Sequence, residues 1–246
     1  MRCLLFLFFI STVSLGKGQV GPWEFVDNQD GIKVSKRVHQ NSNLLEFRGE
    51  GVIRGHVATV LALLTDPHRM CEWIENCEVV DLLKANYDIA DPNLLSKTID
   101  SFYHVQYLEM FVPWPFQNRD LVLKGYIEYT EDEKTGQKGA RLLSHRVDWP
   151  SKPATKDKTR MPFMDSQVDV KFVSENETFV DFRVRADPGG VIPEWLVNLT
   201  TSMLPLKTVE KIRLMVKKGD ADPRRLKLVQ HHIEEVKKKQ KISNSH

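Results

Sequence analysis

The side chains best equipped for chemistry in this sequence are an arginine, two carboxylates, a pair of cysteines and a set of histidines. In Arg119-Asp-Leu-Val-Leu-Lys-Gly-Tyr-Ile-Glu128, side chains alternate with the period of a strand, which turns Arg119, Leu121, Leu123, Gly125 and Ile127 inward and leaves Asp120, Lys124 and Glu128 on the solvent face. An arginine directed into an apolar interior must meet a protein carboxylate or a polar group of a ligand. Asp120 and Glu72 are the candidate protein partners, and a ligand head group is the alternative. Among the eight histidines, His39, His56, His104 and His145 offer possible bases, but only His104, on the strand with Leu108, falls on an inward face. No Gly-x-Ser-x-Gly, His-Glu-x-x-His or phosphate-binding glycine loop accompanies them, so the chain is read as a non-enzyme, with an enzyme acting on a hydrophobic substrate as the alternative.

Outside Cys3 the only cysteines are Cys71 and Cys77. On a continuous helix that separation places the Cα atoms roughly 9 Å apart, too far for a bridge unless the helix ends between them. A disulfide and a pair of partly buried thiols both stay open. Neither Cys-x-x-Cys nor Cys/His zinc spacing occurs, and no metal or other cofactor is expected.

The elements that must hold these residues follow from hydrophobic period. Residues 31–38 and 44–53 alternate as strands; apolar positions 57, 60, 61 and 64 form a helical stripe; and Asp66-Pro67 interrupts it before a second helical stretch through Trp73. Apolar, β-branched runs at 79–83, 97–112, 119–129, 140–148, 166–174 and 178–186, separated by turn residues, predict an antiparallel meander. After Asp187-Pro-Gly-Gly190, a long helix over 191–218 carries Ile192, Trp195, Leu196, Leu199, Met203, Leu206, Val209, Ile212 and Met215 as one apolar stripe, with a kink expected at Pro205. A curved sheet and one amphipathic helix make two layers around one core. Residues 219–246 read as a charged C-terminal tail that carries Leu226, Val229, Ile233 and Val236 at helical spacing, an interfacial membrane helix being the sharper reading and a solvated tail the usual one.

Residues 1–18 have one early basic residue, an apolar run from Cys3 to Ile10 and then small residues, which reads as a signal peptide; the run is well short of the roughly 20 residues of a spanning helix. The expected product is an exported protein, periplasmic or secreted. Its 35 basic and 33 acidic residues nearly cancel and are dispersed, so nucleic acid is not an expected partner. Asn176-Glu-Thr and Asn198-Leu-Thr match the glycosylation sequon; a glycan on the second, on the long helix, would obstruct closure, which favours a bacterial host.

Three segments, Asp66-Pro-His-Arg-Met-Cys-Glu-Trp73, Val112-Pro-Trp-Pro-Phe-Gln-Asn-Arg-Asp120 and Ala186-Asp-Pro-Gly-Gly-Val-Ile-Pro-Glu-Trp-Leu-Val-Asn198, resemble the signature stretches of the START (StAR-related) lipid-transfer family. The resemblance implies an α+β helix-grip fold over 19–218: a curved antiparallel sheet wrapped around a long C-terminal helix, with two shorter helices after the first strands. It also implies a cavity for one lipid, sealed by that helix and a mobile loop. The expected partners are a lipid or other hydrophobic ligand and, transiently, a membrane, with the chain a monomer. Arg119, with Glu72 on the second helix, would form the polar end and suit a ligand hydroxyl. Leu108, Met110, Leu121, Leu123, Val168 and Val170 would form the apolar wall, and Ile192, Trp195, Leu196, Leu199 and Met203 the lid. Family members that hold phosphatidylcholine use an arginine on the second helix and an aromatic cage. Here Met70, with Ile74 one turn on, and Leu108 stand at those places, which favours a sterol, fatty acid, single-chain lipid or isoprenoid.

Overall fold

The computed structural model describes residues 20–39, 44–96, 102–131, 136, 138–190, 192 and 194–243, without side chains at 96, 194–196, 198–201 and 236–243. The signal peptide expected at 1–18 therefore lies outside the described residues. Three strands come first, β1 (Glu24–Gln29), β2 (Ile32–Val38) and β3 (Leu45–Arg54), followed by α1 (Val57–Leu64) and α2 (Met70–Trp73). The meander is β4 (Cys77–Ala85), β5 (Phe102–Met110), β6 (Arg119–Glu131), β7 (Lys138–Arg146), the two-residue β8 (Thr159–Arg160), β9 (Phe163–Ser174) and β10 (Glu177–Asp187). Helices α3 (Glu194–Lys218) and α4 (Pro223–Ser243) complete the chain. The strands form one curved ten-stranded sheet in the order β1-β2-β3-β10-β9-β7-β6-β5-β4, with β8 set beside β6. The helix-grip expectation thus holds.

Alternation decides which residues face the helices. Along β3 and β10, Phe47, Ile53, Val180, Phe182 and Val184 are buried on one face, and all but Phe47 belong to the main core. Three glycines on this track let α3 approach the sheet backbone. A Cβ on Gly49 would stand 2.7 Å from the Pro205 Cβ, and one on Gly55 would stand 2.4 Å from a Val216 methyl. Pro205 is accommodated inside α3, which remains one helix. Leu206, Val209, Ile212 and Met215 are buried as the stripe predicts, but Met203 is 52 % exposed. Two residues on a helix are roughly 200° of rotation, so seating Pro205 on Gly49 turns Met203 outward and brings Leu204 inward.

One open alternative is decided and two sequence expectations are corrected. The helix does end between the cysteines: α2 stops at Trp73, Ile74 is extended and Asn76 takes φ 59°, so Cys71 and Cys77 come to a Cα–Cα distance of 4.8 Å and are disulfide-bonded. The C-terminal segment is not a solvated tail in its first half, because Leu228, Val229 and Ile233 of α4 are buried in the main core and Arg225 binds the Thr65 carbonyl at 3.0 Å and Asp66 at 3.3 Å. Asp120 points outward but is 1 % exposed. Residues 147–162 fold back over the outer face of β5 and β6, where Arg160 grips Asp120 with bonds of 2.8 and 2.9 Å and Val147 and Trp149 pack on Val105, Tyr107 and Val122. Among the described residues, no helix is long and apolar enough to cross a membrane.

Candidate functional site

The Asn118-Arg119-Asp120 run works as a three-way tie. The side-chain carbonyl of Asn118 accepts from the Val112 N–H at 3.0 Å and its backbone carbonyl accepts from Thr159 N–H at 2.9 Å, fixing the β5–β6 loop to the strand beside it. Arg119 reaches the opposite way, donating to the carbonyls of Pro188 and Gly189, both at 3.2 Å, and to that of Gln117. It thereby holds the turn between β10 and α3. Asp120 secures the outer segment through Arg160.

These ties surround a cavity of about 320 Å³ between the β5–β6 loop, the end of β10 and the first half of α3. Its wall is mostly apolar: Met110, Phe111, Val112, Pro113, Trp114, Phe116, Met161, Ala186, Pro188, Ile192, Val197 and Leu204. Glu75, Asn76 and Arg119 supply the polar edge. The disulfide loop forms one side, since Asn76 accepts from the Phe111 N–H at 2.8 Å and Glu75 pairs with Lys211 of α3 at 2.7 Å.

Of the residues singled out by sequence, the structure places Arg119, Met110 and Ile192 on this cavity. Leu108, Leu121, Leu123, Val168 and Val170 instead belong to the packed core, with Met70 and Ile74. Trp195, Leu196 and Leu199 lie on α3, and their side chains are outside the described set. Neither partner foreseen for Arg119 reaches it. Asp120 is occupied by Arg160, and Glu72 is an exposed carboxylate held by Arg69 at 2.7 Å, three residues earlier on the same helical turn. Arg69 also binds Asp220, so Glu72 serves the junction between α2 and the α3–α4 turn rather than the cavity. The Glu72 hydrogen bond keeps Arg69 protonated, and the same contact lowers the Glu72 carboxyl below its ordinary value.

His104 is 6 % exposed and lies on the inner face of β5, away from the cavity lining. Burial, reinforced by the Arg225 cation, pushes its pKa down to about 4, so it is neutral at neutral pH. Sequence reasoning missed the loop side chains Phe111, Trp114 and Phe116, and Met161. The Pro-Trp-Pro motif was the available signal, but an apolar loop has no period from which its direction can be read.

The START domain model matches residues 13–216, ending before α4. An uncharacterised protein of Pseudomonas aeruginosa is 30% identical over 203 residues, covering 82% of this chain and 91% of that protein. The phosphatidylcholine transfer protein of Rattus norvegicus is 23% identical, covering 72% of this chain and 75% of its own length. Among solved structures, a STAR-related lipid transfer protein from Xanthomonas axonopodis has a TM-score of 0.62 at 28% identity, over 79% of this chain and 98% of that one. Human STARD10 has a TM-score of 0.64 at 17% identity, over 80% of this chain and 73% of its own, a likeness of fold alone. The sheet gripping α3, the ties made by residues 118–120 and a family match over most of the sequence lead to one conclusion: the chain belongs to the START domain family.

Proposed function

We propose that the protein binds one lipid or other hydrophobic molecule in the cavity beneath α3 and carries or senses it outside the cytoplasm. The observation that carries this reading is the cavity itself, whose wall is almost entirely apolar although it opens at the surface. At about 320 Å³ it is near the lower end of the roughly 300–1,000 Å³ range of small-molecule sites, which suits a single chain or a compact ring system better than two acyl chains. Packing at Met70, Ile74 and Leu108 agrees with that choice. All three sit in the core, so neither a phosphate-binding cation nor an aromatic cage stands there. The names of the family relatives support a lipid as ligand class.

Export rests on the leader read in residues 1–18, and the Cys71–Cys77 bridge supports an oxidising compartment. Trp114, 91 % exposed, and Phe111, 45 % exposed, stand at the rim and support transient contact with a membrane during loading. We read the carrier as a monomer without nucleic-acid partners. His104, on which an enzymatic reading would rest, is not part of the cavity wall. The test is organic extraction and mass spectrometry of protein purified without detergent. One hydrophobic molecule per chain is expected; an empty protein that also takes up nothing from liposomes would sink the proposal.

A further inference from the structure

The charge balance around the cavity is uneven. Its two charged lining residues are Glu75 and Arg119, and Glu75 is matched by Lys211 at 2.7 Å. Arg119 has no such match: each hydrogen bond it makes goes to a neutral backbone carbonyl, and among the described residues no carboxylate lies within ion-pair distance. The contrast with Arg225 is direct. These are the two buried arginines among the described residues, and Arg225 is paired with Asp66. Burying a cation without an anion is costly, and carbonyl dipoles offset only part of the loss. The same imbalance appears in the Arg119 pKa, which desolvation lowers from its ordinary value.

A guanidinium has five N–H donors, and three are used, so one on each terminal nitrogen is left for a ligand. From these observations we infer that the cavity selects a single-chain amphiphile with an anionic head, specifically a long-chain carboxylate, whose head group pairs with Arg119. This assignment rests on the hydrophobic-ligand reading above and names the class of molecule. The hydrocarbon chain lies along Met110, Phe116, Met161 and Leu204, and the carboxylate supplies the counter-charge that the protein lacks. An arginine fork matches a carboxylate better than it matches a single hydroxyl, because two parallel bonds form at once.

The test compares palmitic acid with hexadecanol and methyl palmitate, which share the chain and differ in head-group charge. Affinities are measured by calorimetry on delipidated wild-type protein at pH 8. A charge-assisted pair should favour the acid over the alcohol roughly 10- to 100-fold. Arg119→Gln also frees the β10–α3 turn and should weaken every ligand, so its readout is the acid-to-alcohol affinity ratio, which should fall to about one, and Arg119→Lys should keep part of the preference. The wild-type series does not depend on either variant folding. Equal affinity for acid and alcohol, or preference for the alcohol, overturns the anionic-head assignment and leaves hydrophobic binding intact. If none of the three binds and no lipid is taken up from liposomes, both this assignment and the reading beneath it fail.

Discussion

Opening the Cys71–Cys77 bridge should loosen the ligand cavity as well as lower stability. The two cysteines are separated by 6 positions, and closing so short a loop in the unfolded chain is worth ~2 kcal/mol on the loop-entropy model. For a chain of this size that corresponds to a fall in Tm of roughly 4–8 °C. The functional cost follows from what the loop touches. Asn76 holds Phe111 of the β5–β6 loop at 2.8 Å, and Glu75 holds Lys211 of α3 at 2.7 Å, so a slack loop releases two walls of the cavity together. Thermal unfolding followed by circular dichroism would compare oxidised wild type, wild type with excess dithiol, and Cys71→Ala/Cys77→Ala, with affinity for a single-chain fluorescent lipid measured on each. The reduced protein and the double variant should behave alike, both less stable and weaker in binding. An unchanged Tm with unchanged affinity would refute the argument that the bridge holds the cavity wall.

Three further outcomes are expected. Truncation after Gly219 removes the buried Leu228, Val229 and Ile233, which at ~1.5–3 kcal/mol each is a loss of at least ~4 kcal/mol; a urea midpoint equal to that of the full chain would show α4 to be dispensable. His104 has a folded pKa of about 4, below its unfolded value near 6.5, so its neutral form stabilises the fold at neutral pH and that contribution, ~3 kcal/mol, is lost as the pH falls from 6.5 toward 4. In His104→Gln this part of the acid destabilisation should vanish from the denaturation midpoints, and an unaltered pH profile would contradict it. Gly49→Val places a Cβ 2.7 Å from the Pro205 Cβ and should cost ~1–3 kcal/mol by forcing α3 off the sheet, measurable as a lower urea midpoint, while a wild-type midpoint would mean that the helix yields freely.

What the sequence made legible was what repeats along a strand or helix. The period-2 pattern of residues 119–128 turned Arg119 inward, and it is buried; the same pattern turned Asp120 outward, and it is buried too. Alternation reports a face of the sheet but not what later covers that face, and residues 147–162 return across it from far along the chain. The cysteine bridge depended on where a four-residue helix stops, a boundary set by tertiary packing and by the left-handed Asn76. Glu72 was assigned to the cavity although Arg69, three positions earlier, was a nearer partner that helical spacing already offered. In α4 the helical spacing of Leu226, Val229 and Ile233 was legible among the charges, but not what buries them, because α1, which receives this helix, lies far back along the chain. The cavity was placed too deep: Leu121, Leu123, Val168 and Val170 are close-packed, and the open space lies nearer the loop.

Locating the ligand tests the central claim most directly. A single-chain lipid carrying a photoactivatable diazirine would be loaded into the wild-type protein, irradiated, and its cross-linked peptides identified by mass spectrometry. The account predicts labelling in two segments, at Met110, Phe111, Phe116 or Arg119 and at Ala186, Pro188, Ile192, Val197 or Leu204, which line the cavity beneath α3. Labelling confined to other surfaces, with these two segments unmodified, would contradict it.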